Sequence, residues 1–223
     1  PLINAREARQ WENSLERRTK EYNELITQLM RAIQNNGDRH LYTIQLRWLY
    51  PSTSFYTPDA TSIIEKLTEL AYIADTSENQ ETANKALTSY RTILHRHIIN
   101  AAVLDFAITM AQANTRYGDY KLLSTIRSDI IAEIFKKNGQ SSESAYQIIT
   151  YQEEAYAIAS VGGELKKTEN FHVGSRFYNV HNIIKSSGEL AQIFTDVTEP
   201  MTKSYMINER KKKDKVYTVH GAQ

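Results

Sequence analysis

Apolar residues recur at three- and four-residue steps through the first part of the chain, which is the spacing of one helical face. The longest such segment covers residues 5–35, where Trp11, Leu15 and Tyr22 share an apolar side opposite a run of charged residues. The same spacing predicts further helices over residues 39–50, 58–74, 79–97, 98–117 and 120–137. Short turns separate these segments, so we expect antiparallel helical hairpins in this part of the chain.

Two features of these predicted helices bear on their architecture. Thr57 is a candidate cap for the helix that starts at Pro58, because proline is favoured at the first helical position. Residues 71–75 and 115–119 both end a helix in an aromatic-small-Asp turn, but their spacing of 44 residues exceeds the ~34 of tetratricopeptide repeats. Generic helical hairpins, tetratricopeptide-like at most, are therefore the simpler interpretation.

The pattern changes after Asn138 and Gly139, which end the last predicted helix because both residues tolerate the left-handed conformation. Short runs rich in β-branched and aromatic residues then predict four strands, over residues 145–151, 155–161, 171–184 and 190–197. Gly174 and Ser175 fit a bulge inside the third strand. A helix over residues 142–160 is the alternative for the first two, and strand is favoured because the run YQIITY is poor helix material.

These elements predict an α+β protein in which N-terminal helical hairpins precede a small antiparallel β-meander. The expected organisation has three parts. A helical region covers residues 1–140, an antiparallel β region packed on it covers residues 141–200, and a basic tail covers residues 201–223.

Composition narrows the class of protein. The 223 residues are 41% hydrophobic and 24% charged, which is close to the globular average and argues against disorder. The formal net charge is only +1, which argues against nucleic acid as a partner. The 14 tyrosines suit small cores and binding surfaces equally, because each ring carries a polar tip.

The chain has no cysteine, which excludes disulfides, thiol catalysis and cysteine-based zinc sites. We take this as an indication of a bacterial periplasmic or outer-surface location, with the cytoplasm as the alternative. No run approaches the ~20 apolar residues that a membrane-spanning helix needs. The chain starts at Pro1 rather than Met, so we expect that its N-terminus was trimmed, which leaves a signal peptide or a lipid anchor upstream open.

The histidines and carboxylates show no motif for catalysis or metal binding. His95 and His97 lie two apart on a predicted helix and so point to different faces. We therefore predict no catalytic residue, no metal site and no cofactor. If a pocket exists at the helix–sheet junction, its candidate residues are Glu153, Glu154, His172 and His181. The simpler interpretation of the paired glutamates is a solvated turn.

A cationic run near the C-terminus is the strongest local charge feature. It consists of Arg210, Lys211, Lys212, Lys213 and Lys215. Such a run predicts contact with phosphates or anionic lipid, and deletion of residues 208–223 should then abolish a salt-sensitive affinity. The simpler interpretation of the run is a solvated tail.

Part of the chain resembles a known family. The matching segments are residues 118–120, 138–149, 152–156 and 197–200. They are similar to an uncharacterised family of secreted proteins, mostly from Bacteroidetes, that carries a Glu-Glu-Tyr segment and a final strand ending in an acidic residue and proline. Here Ala155 stands between the glutamates and Tyr156. The resemblance implies helices followed by a sheet and an envelope location, and it implies no site.

Three functions follow from these observations as hypotheses. The leading one is a non-enzymatic envelope protein whose helical hairpins present a surface to a partner, expected to be another envelope protein. The second is a small-ligand binder or hydrolase with a pocket at the helix–sheet junction. The third is a protein that binds anionic surfaces through the cationic run.

Overall fold

In a computed structural model the protein is described over residues 5–35 and 37–220, without the side chains of residue 5 and residues 213–220. The chain divides into two compact units. The helical unit is Glu16–Lys136, and the mixed unit combines Pro1–Leu15 with Lys137–Gln223. Helices dominate the first part and a sheet follows, so the predicted α+β class is confirmed.

The first helix, α1, begins in the mixed unit and continues into the helical unit. The helices of this part of the chain are α1 (Ala5–Gln34), α2 (Arg39–Leu49), α3 (Thr61–Thr76), α4 (Gln80–Arg96), α5 (Ala101–Ala113) and α6 (Tyr120–Ile134). Successive helices α3 and α4 pack side by side, and so do α5 and α6, as predicted for helical hairpins.

Capping side chains fix where several helices begin. Asn79, Asn100 and Asp119 accept hydrogen bonds from backbone N–H groups in the first turns of α4, α5 and α6. The predicted cap at Thr57 is wrong. Helix α3 begins at Thr61, because the Asp59 carboxylate accepts the Thr61 N–H at 2.9 Å.

Three more predicted boundaries in the helical unit are wrong. Helix α5 starts three residues later than expected, at Ala101, because the residues before its cap form turns. It ends at Ala113, and a short 3-10 helix covers Thr115–Tyr117. Helix α6 ends at Ile134, ahead of the predicted stop at Asn138.

An aromatic cluster forms part of the core of the helical unit. Tyr22 from α1 packs against Tyr50 and Phe55, with ring centres 5.9 and 5.2 Å apart. The Tyr50 hydroxyl lies 2.8 Å from Nδ1 of His97, which is buried at the end of α4. Aromatic rings therefore anchor α1 to the loop that follows α2, as expected for a core rich in tyrosine.

The mixed unit is built around a sheet whose strand order is β1-β4-β3-β2. The strands are β1 (Tyr146–Gln147), β2 (Glu164–Val173), β3 (Arg176–Ile184) and β4 (Leu190–Asp196). Strands β2, β3 and β4 form an antiparallel meander, whereas β1 pairs with β4 in parallel. The sheet is therefore mixed, and the predicted antiparallel arrangement holds for its three longer strands.

Three of the predicted strands differ from the structure. Of residues 145–151, only Tyr146 and Gln147 lie in a strand. Residues 155–161 belong to a helix, α7 (Glu153–Val161), because two glutamates in its first turn favour the positive end of the helix dipole and Gly162 ends it at φ 67°. Residues 171–184 are not one bulged strand. Gly174, at φ 60°, makes the turn between β2 and β3, and the register shift lies instead between Leu165 and Lys167.

The residues after β4, where a basic tail was expected, form helix α8 (Thr198–His220). Within the mixed unit, Met206 of α8 packs with Trp11 and Leu15 of α1 in a small apolar cluster. Among the residues that the structure describes, no helix is long and apolar enough to cross a membrane.

Candidate functional site

A groove runs between α1 and α2 of the helical unit, with a volume of about 470 Å³. Its apolar lining is Leu25, Trp48 and Leu49, and its charged lining is Arg18, Glu21 and Glu24. We call this surface the α1–α2 groove. Its volume is in the range of pockets that hold a ligand or the side chains of a partner.

Trp48 is the large apolar side chain that α2 leaves in solvent at this groove. Its neighbours Leu46 and Arg47 are buried, while Trp48 is 46% exposed. The Arg47 guanidinium lies 5.0 Å from the centre of the Trp48 ring, so the exposed indole rests on a buried cation. An exposed tryptophan held in a groove is the kind of residue that dominates binding energy in protein interfaces.

The groove continues along the same helices. A second depression of about 350 Å³ shares Gln28 with it and includes Leu41, which is 52% exposed. Leu41 and Trp48 are seven residues apart on α2, and they therefore lie on one helix face, roughly 10 Å apart along the axis.

The charged lining of the groove is only partly neutralised. Arg18 and Glu21 form an ion pair at 2.9 Å. Glu24 forms no ion pair with any residue that the structure describes. The groove thus combines apolar side chains with one uncompensated carboxylate.

A polar cluster in the mixed unit brings together two of the residues that the sequence singled out. Glu154 of α7 reaches the sheet, where its Oε1 lies 3.0 Å from Nε2 of His181 on β3. The same oxygen accepts from Asn179 at 2.8 Å and from Thr195 at 2.5 Å. Thr168 of β2 completes the cluster, with its hydroxyl 3.0 Å from Nδ1 of His181.

The hydrogen bonds of this cluster set its protonation. Burial raises the pKa of Glu154, but hydrogen bonds from His181, Thr195 and Asn179 outweigh burial and hold that pKa below its ordinary value. Because a carboxylate can only accept, the Nε2 of His181 that faces Glu154 carries a proton, and its Nδ1 contacts the Thr168 hydroxyl. The cluster thereby joins α7 to three strands.

The other two pocket candidates lie elsewhere. Glu153 is fully buried, and its Oε2 accepts the Ile149 N–H at 2.8 Å, so it holds the chain just before α7. His172 is exposed near the end of β2, with its ring 6.3 Å from that of Phe177. The structure therefore joins Glu154 with His181 and separates both from His172.

The cationic run lies on α8. Arg210, Lys211 and Lys212 are exposed, and Lys212 forms an ion pair with Glu209 at 2.6 Å. The side chains of Lys213 and Lys215 lie outside the described residues. In the described part of the chain, no three histidine or carboxylate side chains are grouped as a metal site would require.

The α1–α2 groove was not predicted from the sequence. Leu41 and Trp48 both lie in the helix predicted over residues 39–50, and their seven-residue spacing outside the buried face was a usable signal. Comparison with other proteins adds no further assignment: no protein-family model, curated protein or solved structure matches the chain.

Proposed function

We propose that the protein is a non-enzymatic binding protein of the bacterial envelope that holds an amphipathic helix of another protein in its α1–α2 groove. The observation that carries the proposal is the pair of exposed anchors, Leu41 and Trp48, on one face of α2. Helix-in-groove recognition uses apolar side chains at such helical spacings.

The spacing of the anchors supports a helix as the occupant. Two apolar side chains roughly 10 Å apart along α2 match partner side chains separated by two helical turns. The two depressions share Gln28, so a single rod-like element can lie against both. A compact small molecule would use only one of them.

The charge of the groove supports a basic residue beside the apolar anchors of that helix. Glu24 is without an ion pair among the described residues, while Arg18 and Glu21 neutralise each other. A lysine or arginine of the bound helix would complete the pairing, and complementary charges at a rim speed association and set register.

A peptide-display selection tests this proposal directly. The full chain is immobilised, and a library of helical peptides is selected for binding. We expect enriched sequences with large apolar residues seven positions apart and a basic residue nearby. Affinity is then measured by the anisotropy of a labelled selected peptide. The variants Trp48→Ser and Leu41→Ser should each weaken binding at least roughly tenfold.

An exposed aromatic residue elsewhere in the helical unit gives a matched control. Tyr72 on α3 is 68% exposed, and Tyr72→Ser should leave affinity unchanged. The proposal is overturned if the selected peptides bind the Trp48→Ser and Leu41→Ser variants as tightly as the unaltered chain. It is also overturned if no sequence is enriched.

The envelope location stays a prediction, supported by the absence of cysteine from the 223 residues. Fractionation of cells that express the native gene, followed by immunoblotting, checks it. A signal confined to the cytoplasmic fraction would contradict it. Three further expectations also stay predictions. They are the resemblance to secreted proteins, the ligand-binding or hydrolase alternative and the anionic-surface alternative.

A further inference from the structure

The outer edge of β2 is a long strand edge that no described strand occupies. Strand β2 is ten residues long and stands last in the sheet order, paired only with β3. All its residues are exposed except Phe171, which is half-buried. An open edge of this length presents unpaired backbone N–H and C=O groups to any chain that can add a strand.

The side chains of β2 carry charges of both signs near its centre. Lys167 and Glu169 flank Thr168, and they lie on the same face of the sheet because side chains alternate along a strand. Within one chain they pair with each other, with Lys167 Nζ 2.7 Å from Glu169 Oε1. Both are exposed, so each can exchange this contact for one across an interface.

We infer that β2 pairs antiparallel with β2 of a second copy of this chain, with the two-fold axis beside Thr168. A two-fold axis perpendicular to the sheet keeps each side chain on its own face. Residues that lie opposite each other must then be on the same face, and successive residues of a strand alternate between the two faces. The axis must therefore pass beside a residue rather than between two residues.

The charges near the centre of β2 decide which residue lies beside the axis. An axis beside Lys167 or beside Glu169 would place like charges directly opposite each other, which is destabilising. An axis beside Thr168 places each Lys167 opposite Glu169 of the second copy and pairs the two threonines. Both types of cross-strand pair are favourable. With the axis there, the bulge between Leu165 and Lys167 leaves residues 167–169 of the two copies as the regularly paired centre of the interface.

The pairing joins two meanders into one sheet and covers the centre of both open edges at once. A single strand pair buries less surface than a standard protein interface, so we expect association to depend on protein concentration.

Charge reversal tests both the interface and its register. Sedimentation equilibrium of the full chain should show a monomer–dimer equilibrium. The variants Lys167→Glu and Glu169→Lys should each dimerise roughly tenfold or more weakly, because like charges then meet twice. An equimolar mixture of the two variants should restore association. One copy then carries glutamate at both positions and the other carries lysine at both, so opposite charges face each other across the interface.

Controls separate this interface from a general effect of charge. Lys85→Glu, at an exposed site on α4, should leave dimerisation unchanged. Circular dichroism checks that each variant is folded, and the neutral variants Lys167→Gln and Glu169→Gln should fall between the unaltered and reversed chains. A monomer at all concentrations overturns the inference. The inference is also overturned if both charge-reversal variants dimerise as strongly as the unaltered chain. It is overturned as well if the mixture of the two variants fails to associate.

Discussion

The Glu154 carboxylate of α7 lies 3.0 Å from Nε2 of His181 at the centre of the sheet. Two further side chains donate to the same oxygen, so the carboxylate is held by three partners. This contact decides how α7 sits on the sheet. The two residues thus belong to a hydrogen-bond network that holds α7 against the sheet.

We expect Glu154→Ala to destabilise the mixed unit by about 3 kcal/mol, since removal of one partner leaves the other buried polar groups unpaired. Because the pKa of Glu154 is lowered, its contribution is present above the ordinary carboxyl pKa and is lost as pH falls through the lowered value. Urea denaturation against pH measures both effects. Glu189→Ala, at an exposed turn residue, is the control and should change stability by less than about 0.5 kcal/mol.

The acid stability of the helical unit should depend on His97. Burial, with a smaller effect of the Arg96 charge, lowers the pKa of His97 from 6.5 to about 4. The unfolded chain then binds a proton that the folded chain excludes, so stability is lost as pH falls from 6.5 towards 4, by roughly 3 kcal/mol in total. Denaturation of the full chain and of His97→Gln across this window checks the prediction. An identical pH profile for the two proteins would contradict it.

Gly139 should tolerate no side chain. Its φ is 66°, and a Cβ there would overlap the ring of Tyr146. We expect Gly139→Ala to cost at least about 2 kcal/mol, from backbone strain and overpacking together. Gly174 has a φ of 60° with no atom within 4 Å, so Gly174→Ala should cost only the strain, about 1 kcal/mol. Equal losses in urea denaturation would show that the Tyr146 ring moves aside.

Asp196 should stabilise the start of α8 chiefly as a cap. One carboxylate oxygen accepts the Thr198 N–H at 3.1 Å, and the other lies 3.0 Å from the Arg176 guanidinium. Asp196→Ala should cost about 2 kcal/mol, because the side chain is buried and the cap is lost. Arg176→Ala should cost less than about 1 kcal/mol, since the arginine is half exposed. A larger loss for Arg176→Ala than for Asp196→Ala would contradict this order.

Local pattern was sufficient for some elements and insufficient for others. The spacing of apolar residues predicted α1, α2 and α4 nearly to their ends, because the apolar face of an amphipathic helix repeats about every 3.6 residues along the sequence. Helix α7 was predicted as a strand because its nine residues are too few to show that period and include β-branched and aromatic residues. The turn at Gly174 was taken for a bulge, since one glycine serves either structure.

The candidate sites show the same division. Glu153 and Glu154 are neighbours in the sequence, yet one is buried against the Ile149 backbone and the other reaches His181, because successive helical residues point about 100° apart. The exposure of Trp48 depends on where α1 packs in the helical unit. The local sequence pattern does not predict that position.

By itself the sequence determined the α+β class, the order of helices before sheet and the absence of cysteine chemistry. These follow from composition and from periodicity along the chain. Tertiary structure alone decided the mixed sheet, the α1–α2 groove, the Glu154–His181 contact and the open edge of β2. Each of these depends on residues distant in sequence becoming neighbours, and that proximity is set by the packing of whole elements.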